Sequence, residues 1–164
     1  MVFQDGVVIG ADSRTSSGSF VANRVSDKLT QVTENIFCCR SAVAADTQAL
    51  TDAVKYHLEL HSIMYDRPVS VYHGATCFKN MSYDYRDQLT AGFIVAGFDN
   101  ERGGQIYNVP LGGSIHSVPV TCSGSGSTYI MGFLDELYSP GMTEEQCVKL
   151  VTKGLIHSLM HCTD

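Results

Sequence analysis

Tryptophan is absent from the 164 residues, proline occurs only four times, and charged residues make up 17% of the chain. With 44% hydrophobic residues, this composition excludes a collagen-like, low-complexity or disordered polypeptide. Basic residues are the scarcer sign: 11 Lys and Arg face 17 Asp and Glu, a net charge of −6 with a pI near 5.4. That balance argues against a phosphate-binding surface, so nucleic acid is not an expected partner. Long apolar runs are also missing. The best, residues 6–11 and 91–96, fall far short of the roughly 20 residues a membrane helix needs, and no membrane association is expected. Met1 to Asp5 is too short for a signal peptide. None of the six cysteines forms a CxxC pair. A chain of this length buries roughly 70% of its unfolded surface without covalent staples, so a reduced intracellular compartment is expected.

What is present reads as one domain in which grouped strands alternate with helix pairs. Residues 6–11 predict a buried strand, residues 16–19 a turn, and 20–22, 29–32 and 36–39 further strands. From Ala44 the period changes. Leu50, Val54, Leu58, His61 and Tyr65 lie one helical turn apart up to Arg67-Pro68, and a second helix is expected over 69–89 with Val71, Ala75, Phe78, Met81 and Tyr85 as its apolar stripe. Strands return at 93–98, 105–109 and 114–121. Gly124-Ser125-Gly126-Ser127 opens a helix over 128–137, and Thr143-Glu144-Glu145 starts a last one running to about residue 161. This order points to an α+β domain of antiparallel sheets with helices packed outside.

Several side-chain groups are candidates for chemistry. His57 and His61 have the i, i+4 spacing of a helical zinc site, but not the H-E-x-x-H pattern, and no third ligand is indicated. His157, His161 and Cys162 repeat that pattern with the same weakness. Cys38 and Cys39, adjacent in a strand, must face opposite sides and read as small core residues rather than a redox pair. The 124–127 segment lacks the lysine of a P-loop and reads as a helix-start turn. More informative are Gly10-Ala11-Asp12-Ser13-Arg14 and Asn23-Arg24-Val25-Ser26-Asp27-Lys28-Leu29, charged sets at strand ends that could hold an ammonium beside a carboxylate. On these residues alone, a surface ion pair is the simpler reading.

Together with Cys38-Cys39-Arg40-Ser41, Ala44-Ala45-Asp46-Thr47-Gln48, Val95-Ala96-Gly97, Gly103-Gly104-Gln105-Ile106-Tyr107, Pro110-Leu111-Gly112-Gly113 and Gly124-Ser125-Gly126-Ser127-Thr128, those sets resemble a proteasome beta subunit, of the caspase-like class. The resemblance spreads from Gly6 to at least Met142. It implies a four-layer αββα sandwich of two antiparallel sheets flanked by helices, the fold of N-terminal nucleophile hydrolases. It also implies a threonine peptidase whose first residue attacks the peptide carbonyl while the free α-amine takes the proton. In that scheme Lys28 is the catalytic lysine and Asp12 the carboxylate that positions it. Ser125 and Asp164 hydrogen-bond around the terminal amine, with Thr163 and Cys162 competing for the Asp164 position. The backbone N–H of Ala42 forms the oxyanion hole. The family usually has glycine there, so Ala42 is expected to need a negative φ. Arg40 sets a preference for acidic residues before the cut. Thr15, Ser26, Thr30, Ala44 and Gln48 line the pocket, and the backbone near Ser16 binds substrate as an added strand.

No cofactor is implied. The implied partners are proteasome alpha and beta subunits in stacked heptameric rings, with unfolded polypeptide as substrate, in cytoplasm and nucleus. The family's chain starts a few residues upstream of the point matched by Met1, and Met1 to Asp5 contains no Thr, Ser or Cys. It also continues beyond Asp164 through an Asp-Gly-Ser-Ser-Gly-Gly segment and closing strands. The expectation is therefore a single beta-type domain incomplete at both ends, inactive as written, with exposed strand edges. The rival expectation is a shortened, non-catalytic structural subunit.

Overall fold

A computed structural model describes residues 1–17 and 20–161. The elements run β1 (Val2–Phe3), β2 (Gly6–Val7), β3 (Thr15–Ser17), β4 (Phe20–Asn23), β5 (Leu29–Thr33), β6 (Ile36–Ala42), α1 (Ala44–Tyr65) and α2 (Val71–Asp84). They continue with β7 (Ala91–Asp99), β8 (Gly103–Val109), β9 (His116–Ser117), α3 (Ser127–Leu137) and α4 (Glu144–His161). Strands β5 to β9 form one antiparallel sheet in sequence order, while β1–β2 and β3–β4 are separate hairpins. The α+β expectation therefore holds, with helix pairs following strand groups. No helix among the described residues is long and apolar enough to cross a membrane.

Alternation along β6, β7 and β8 decides what each face of the sheet meets. Ile36, Cys38, Phe93, Val95, Tyr107 and Val109 face one side and join Leu50, Val54 and Leu58 of α1 and Val71, Ala75 and Phe78 of α2 in the main core. Phe78 and Phe93, both fully buried, meet with ring centroids 4.7 Å apart. Burying each such ring stabilises the fold by about 2–3 kcal/mol. Residues of the other parity, Ile94 and Ile106, face the opposite side and border a cavity. A second core unites Met1, Ile130, Leu134, Cys147 and Leu150, tying α3 and α4 to the first strand.

The helices are fastened to the sheet at their ends. Val43, which precedes α1, offers no side-chain cap. Instead the Asp46 carboxylate accepts the Thr90 N–H at 2.8 Å, and the Val43 N–H donates to the Thr90 carbonyl at 3.2 Å, pinning the helix start to the start of β7. At the start of α2, Ser70 Oγ accepts the His73 N–H, as expected of a capping serine. The Asp99 carboxylate accepts the N–H groups of Val71, Glu101 and Arg102 together with the Gln105 side-chain amide.

Five expectations are corrected. The 6–11 run is not one buried strand: only Gly6–Val7 pairs, and residues 7–11 are half-buried. A Cβ on Gly10 would lie 2.7 Å from Val151, so this stretch passes tightly under α4 rather than alongside another strand. Only His116–Ser117 of 114–121 is strand; the Val118 N–H still reaches the Ile106 carbonyl, and Pro119, without an N–H, supplies no donor to carry the ladder further. Helix α2 stops at Asp84, the segment to Leu89 being turn, and Tyr65 at the foot of the α1 stripe is 57% exposed. Finally, Ser16 and Ser17 lie in strand β3 where a turn was expected; the remainder of that turn falls on residues outside the described ones.

Desolvation pushes the Asp99 carboxyl up, but its four donors outweigh that and hold it below the ordinary value of 3.8. A depressed folded-state pKa stabilises the fold above the unfolded value, and the gain is lost as pH falls through the folded value. Asp99→Ala is expected to cost about 1–3 kcal/mol at pH 7. In denaturant titrations that penalty should shrink below pH 4; a pH-independent penalty would contradict the role given to the carboxylate.

Candidate active site

The ends of β6 and the loops after β2, β4 and β9 converge on a cavity of about 870 Å³. Its lining includes Asp12, Thr15, Ser16, Ser26, Lys28, Arg40, Ala42, Ala44, Gln48 and Ser125. Thr30 is not part of it: it sits within the ladder opposite Cys38, away from the opening. Asp164, Thr163 and Cys162 lie outside the described residues.

At one side Lys28 Nζ donates to Asp12 Oδ1 at 2.7 Å, both side chains roughly a quarter exposed. The other carboxylate oxygen, Oδ2, accepts the Arg14 N–H at 2.9 Å. One carboxylate thus closes its own loop and fixes a cation at the cavity, a geometry the surface-pair reading did not require. Neighbouring loops are laced together by Thr15 Oγ1 donating to Ser26 Oγ at 2.7 Å, and by Ser13 Oγ donating to the Arg24 carbonyl. Between them, the Ser26 N–H donates to the Ser13 carbonyl.

At the other side Arg40 Nη2 donates to the Asp27 carbonyl at 2.7 Å and Nη1 donates to Gln48 Oε1. Its Nε is buried without a hydrogen-bond partner. No carboxylate among the described residues pairs with this guanidinium. An uncompensated, geometrically fixed guanidinium is suited to receive a carboxylate from a ligand.

Ala42 ends β6, paired with Ala91, and has φ = +83°. The expectation of a negative φ is therefore overturned. An L-residue with a Cβ carries strain in this region, of order 1–2 kcal/mol, where glycine carries little. The conformation is imposed because the strand must leave its ladder and turn into α1 within two residues. Beyond it, Ser41 Oγ lies 3.0 Å from Ser123 Oγ and donates to the Gly92 carbonyl, linking β6 to the segment before α3. Gly124, at φ = +103°, begins the turn that starts this helix. Gly126 approaches Ser158 so closely that a Cβ would lie 1.8 Å from its Oγ. The helix-start reading of this motif therefore holds.

The two cysteines face opposite sides, as strand alternation required. Cys38 is buried 3.9 Å from Thr51 Oγ1, and burial pushes its thiol up to about 11. Burial also raises the Cys39 thiol, against the opposing influence of Lys28. Neither is a thiolate at neutral pH, so neither is a ready nucleophile. His61, from the zinc motif, stacks instead on His73 with centroids 4.4 Å apart. Among the described residues no three His, Cys, Asp or Glu side chains converge to hold a metal. Sequence reasoning missed the Asp27 carbonyl, Ser123 and Asp52, which accepts the Gln48 amide at 2.8 Å. The i, i+4 spacing of Gln48 and Asp52 was the available signal for the last.

A family model described as proteasome subunit matches residues 1–164. The chain is 48% identical over 159 residues to proteasome subunit beta type-1 of Saccharomyces cerevisiae, covering 97% of this chain and 74% of that protein. It is also 48% identical to the probable proteasome subunit beta type-1 of Schizosaccharomyces pombe, over 93% of this chain and 68% of that one. For proteasome subunit beta type-6 of Dictyostelium discoideum the identity is 47%, over 93% and 72%. The chain belongs to the proteasome subunit family, and these relatives are all of beta type.

Replacing Ala42 by glycine should relieve the positive-φ strain and raise the melting temperature by about 2–4 °C. A lower melting temperature would show that the backbone at this position is not strained by its Cβ.

Proposed function

We propose that this chain is a beta subunit of the proteasome core particle, of the class that cleaves polypeptides after acidic residues, acting in the cytoplasm and nucleus. It would sit with alpha and beta subunits in stacked heptameric rings, its own fold completed as a four-layer sandwich. The observation that carries the reading is the presence on one cavity of the Asp12–Lys28 pair, the Ala42 backbone and a guanidinium with no carboxylate partner among the described residues.

On this reading the hydroxyl of an N-terminal threonine attacks the peptide carbonyl and passes its proton to the free α-amine. The carbonyl oxygen takes up negative charge against the Ala42 N–H, a donor of a kind worth about 3–4 kcal/mol to the transition state. The leaving amine takes the proton back, and water later cleaves the ester. Lys28, fixed by Asp12, supplies the positive charge that favours the deprotonated hydroxyl. Ser125 and Asp164 would hydrogen-bond around the amine. Arg40 would receive the acidic side chain before the cut, beside Thr15, Ser26, Ala44 and Gln48, while the backbone near Ser16 pairs with the substrate.

A ring subunit that does not hydrolyse is the rival reading. Intact mass and N-terminal sequencing of the subunit from purified particles separate the two: a terminal threonine upstream of Met1 supports the peptidase, a terminus at Met1 the structural subunit. In assembled particles Lys28→Ala should lower hydrolysis after acidic residues by at least about 100-fold. Arg40→Leu should lower it by about tenfold or more while leaving ring assembly intact. Unchanged hydrolysis in either variant would remove that residue from the proposal.

A further inference from the structure

Arg40 borders the cavity as a cation whose direction must be set without its charge being quenched. Its surroundings meet both needs. The Asp27 carbonyl holds Nη2, and the side-chain oxygen of Gln48 holds Nη1. A glutamine amide can present either its oxygen or its NH₂ to a neighbour, and the NH₂ would oppose the guanidinium donor to donor. One turn further along α1, Asp52 Oδ1 accepts the Gln48 Nε2 at 2.8 Å. Because a carboxylate accepts only, that bond fixes the NH₂ toward Asp52 and the oxygen toward Arg40. The carboxylate itself makes no ion pair with the guanidinium.

We propose that Asp52 is a positioning residue for acid recognition: acting through the Gln48 amide, it holds the Arg40 guanidinium in its receiving orientation without neutralising it. A carboxylate placed directly against Arg40 would orient it equally well, but an acidic substrate would then have to displace that partner. The neutral amide between them transmits direction and leaves the charge for the ligand. This inference rests on the reading of Arg40 as the acid-recognising residue, and the test separates the two.

The experiment compares assembled particles carrying the wild-type subunit, Asp52→Asn, Asp52→Glu and Arg40→Leu. Fluorogenic peptides ending in Asp or Leu are the probes, and incorporation is measured by mass spectrometry. Asn at position 52 can turn its own NH₂ toward Gln48 and permit the reversed amide. KM for the Asp peptide should then rise about three- to tenfold with kcat little changed, and the Leu peptide should be unaffected. Asp52→Glu retains an acceptor and should stay within about twofold of wild type. If Asp52→Asn matches wild type while Arg40→Leu loses Asp-peptide hydrolysis, the role of Asp52 is overturned and the reading of Arg40 stands. If Arg40→Leu also matches wild type, both fall. Equal loss on the two peptides, or reduced incorporation of Asp52→Asn, would show a structural role for Asp52 and overturn the proposal.

Discussion

Strand β6 is the constraint on which the rest of the structure depends. It is held on both sides, by β5 and by β7, and its pairing with β7 continues unbroken from Ile36 to Ala42. A strand so held cannot slip by one residue without sending Cys38 out of the core and every following side chain to the wrong face. Its last three residues are Arg40, Ser41 and Ala42, all on the cavity, so the register that packs the core also places the site. The contacts at Thr90 then fix where α1 begins, and with it the position of Gln48 relative to Arg40.

The two charged groups of the site are treated differently by their surroundings. Lys28 is paired directly with a carboxylate that is itself tied to the backbone, so its position is fixed and its charge locally balanced. Among the described residues, Arg40 is held by neutral acceptors alone. A cation that stabilises an internal reacting group tolerates a permanent partner, whereas one that must receive an anion from outside does not. On the proposed function, that contrast separates the reacting end of the cavity from the end that selects.

Much of this was legible in the amino-acid order, for identifiable reasons. The buried stripe of α1, through Leu50, Val54 and Leu58, follows from helical periodicity, and the opposite facing of Cys38 and Cys39 follows from strand alternation. The pairing of Asp12 with Lys28, 16 residues apart, became readable only through family resemblance, since local spacing says nothing about contacts between loops. Other features depend on tertiary context alone. Ala42 has no intrinsic preference for positive φ; the pairing with Ala91 on one side and the start of α1 on the other impose it. The stretch after β2 looked like a strand because it is apolar, but its apolar groups pack beneath α4. The part of Asp52 is visible only once Gln48 is seen to lie against Arg40.

The most direct test of the account is a density map of the assembled particle with a peptide aldehyde ending in Asp bound at this subunit. The expected result is the Asp side-chain carboxylate within hydrogen-bonding distance of the Arg40 guanidinium, Gln48 still between Arg40 and Asp52, and the oxygen derived from the aldehyde on the Ala42 N–H. An acidic side chain lodged away from Arg40, or a reacting oxygen held by other donors, would contradict it.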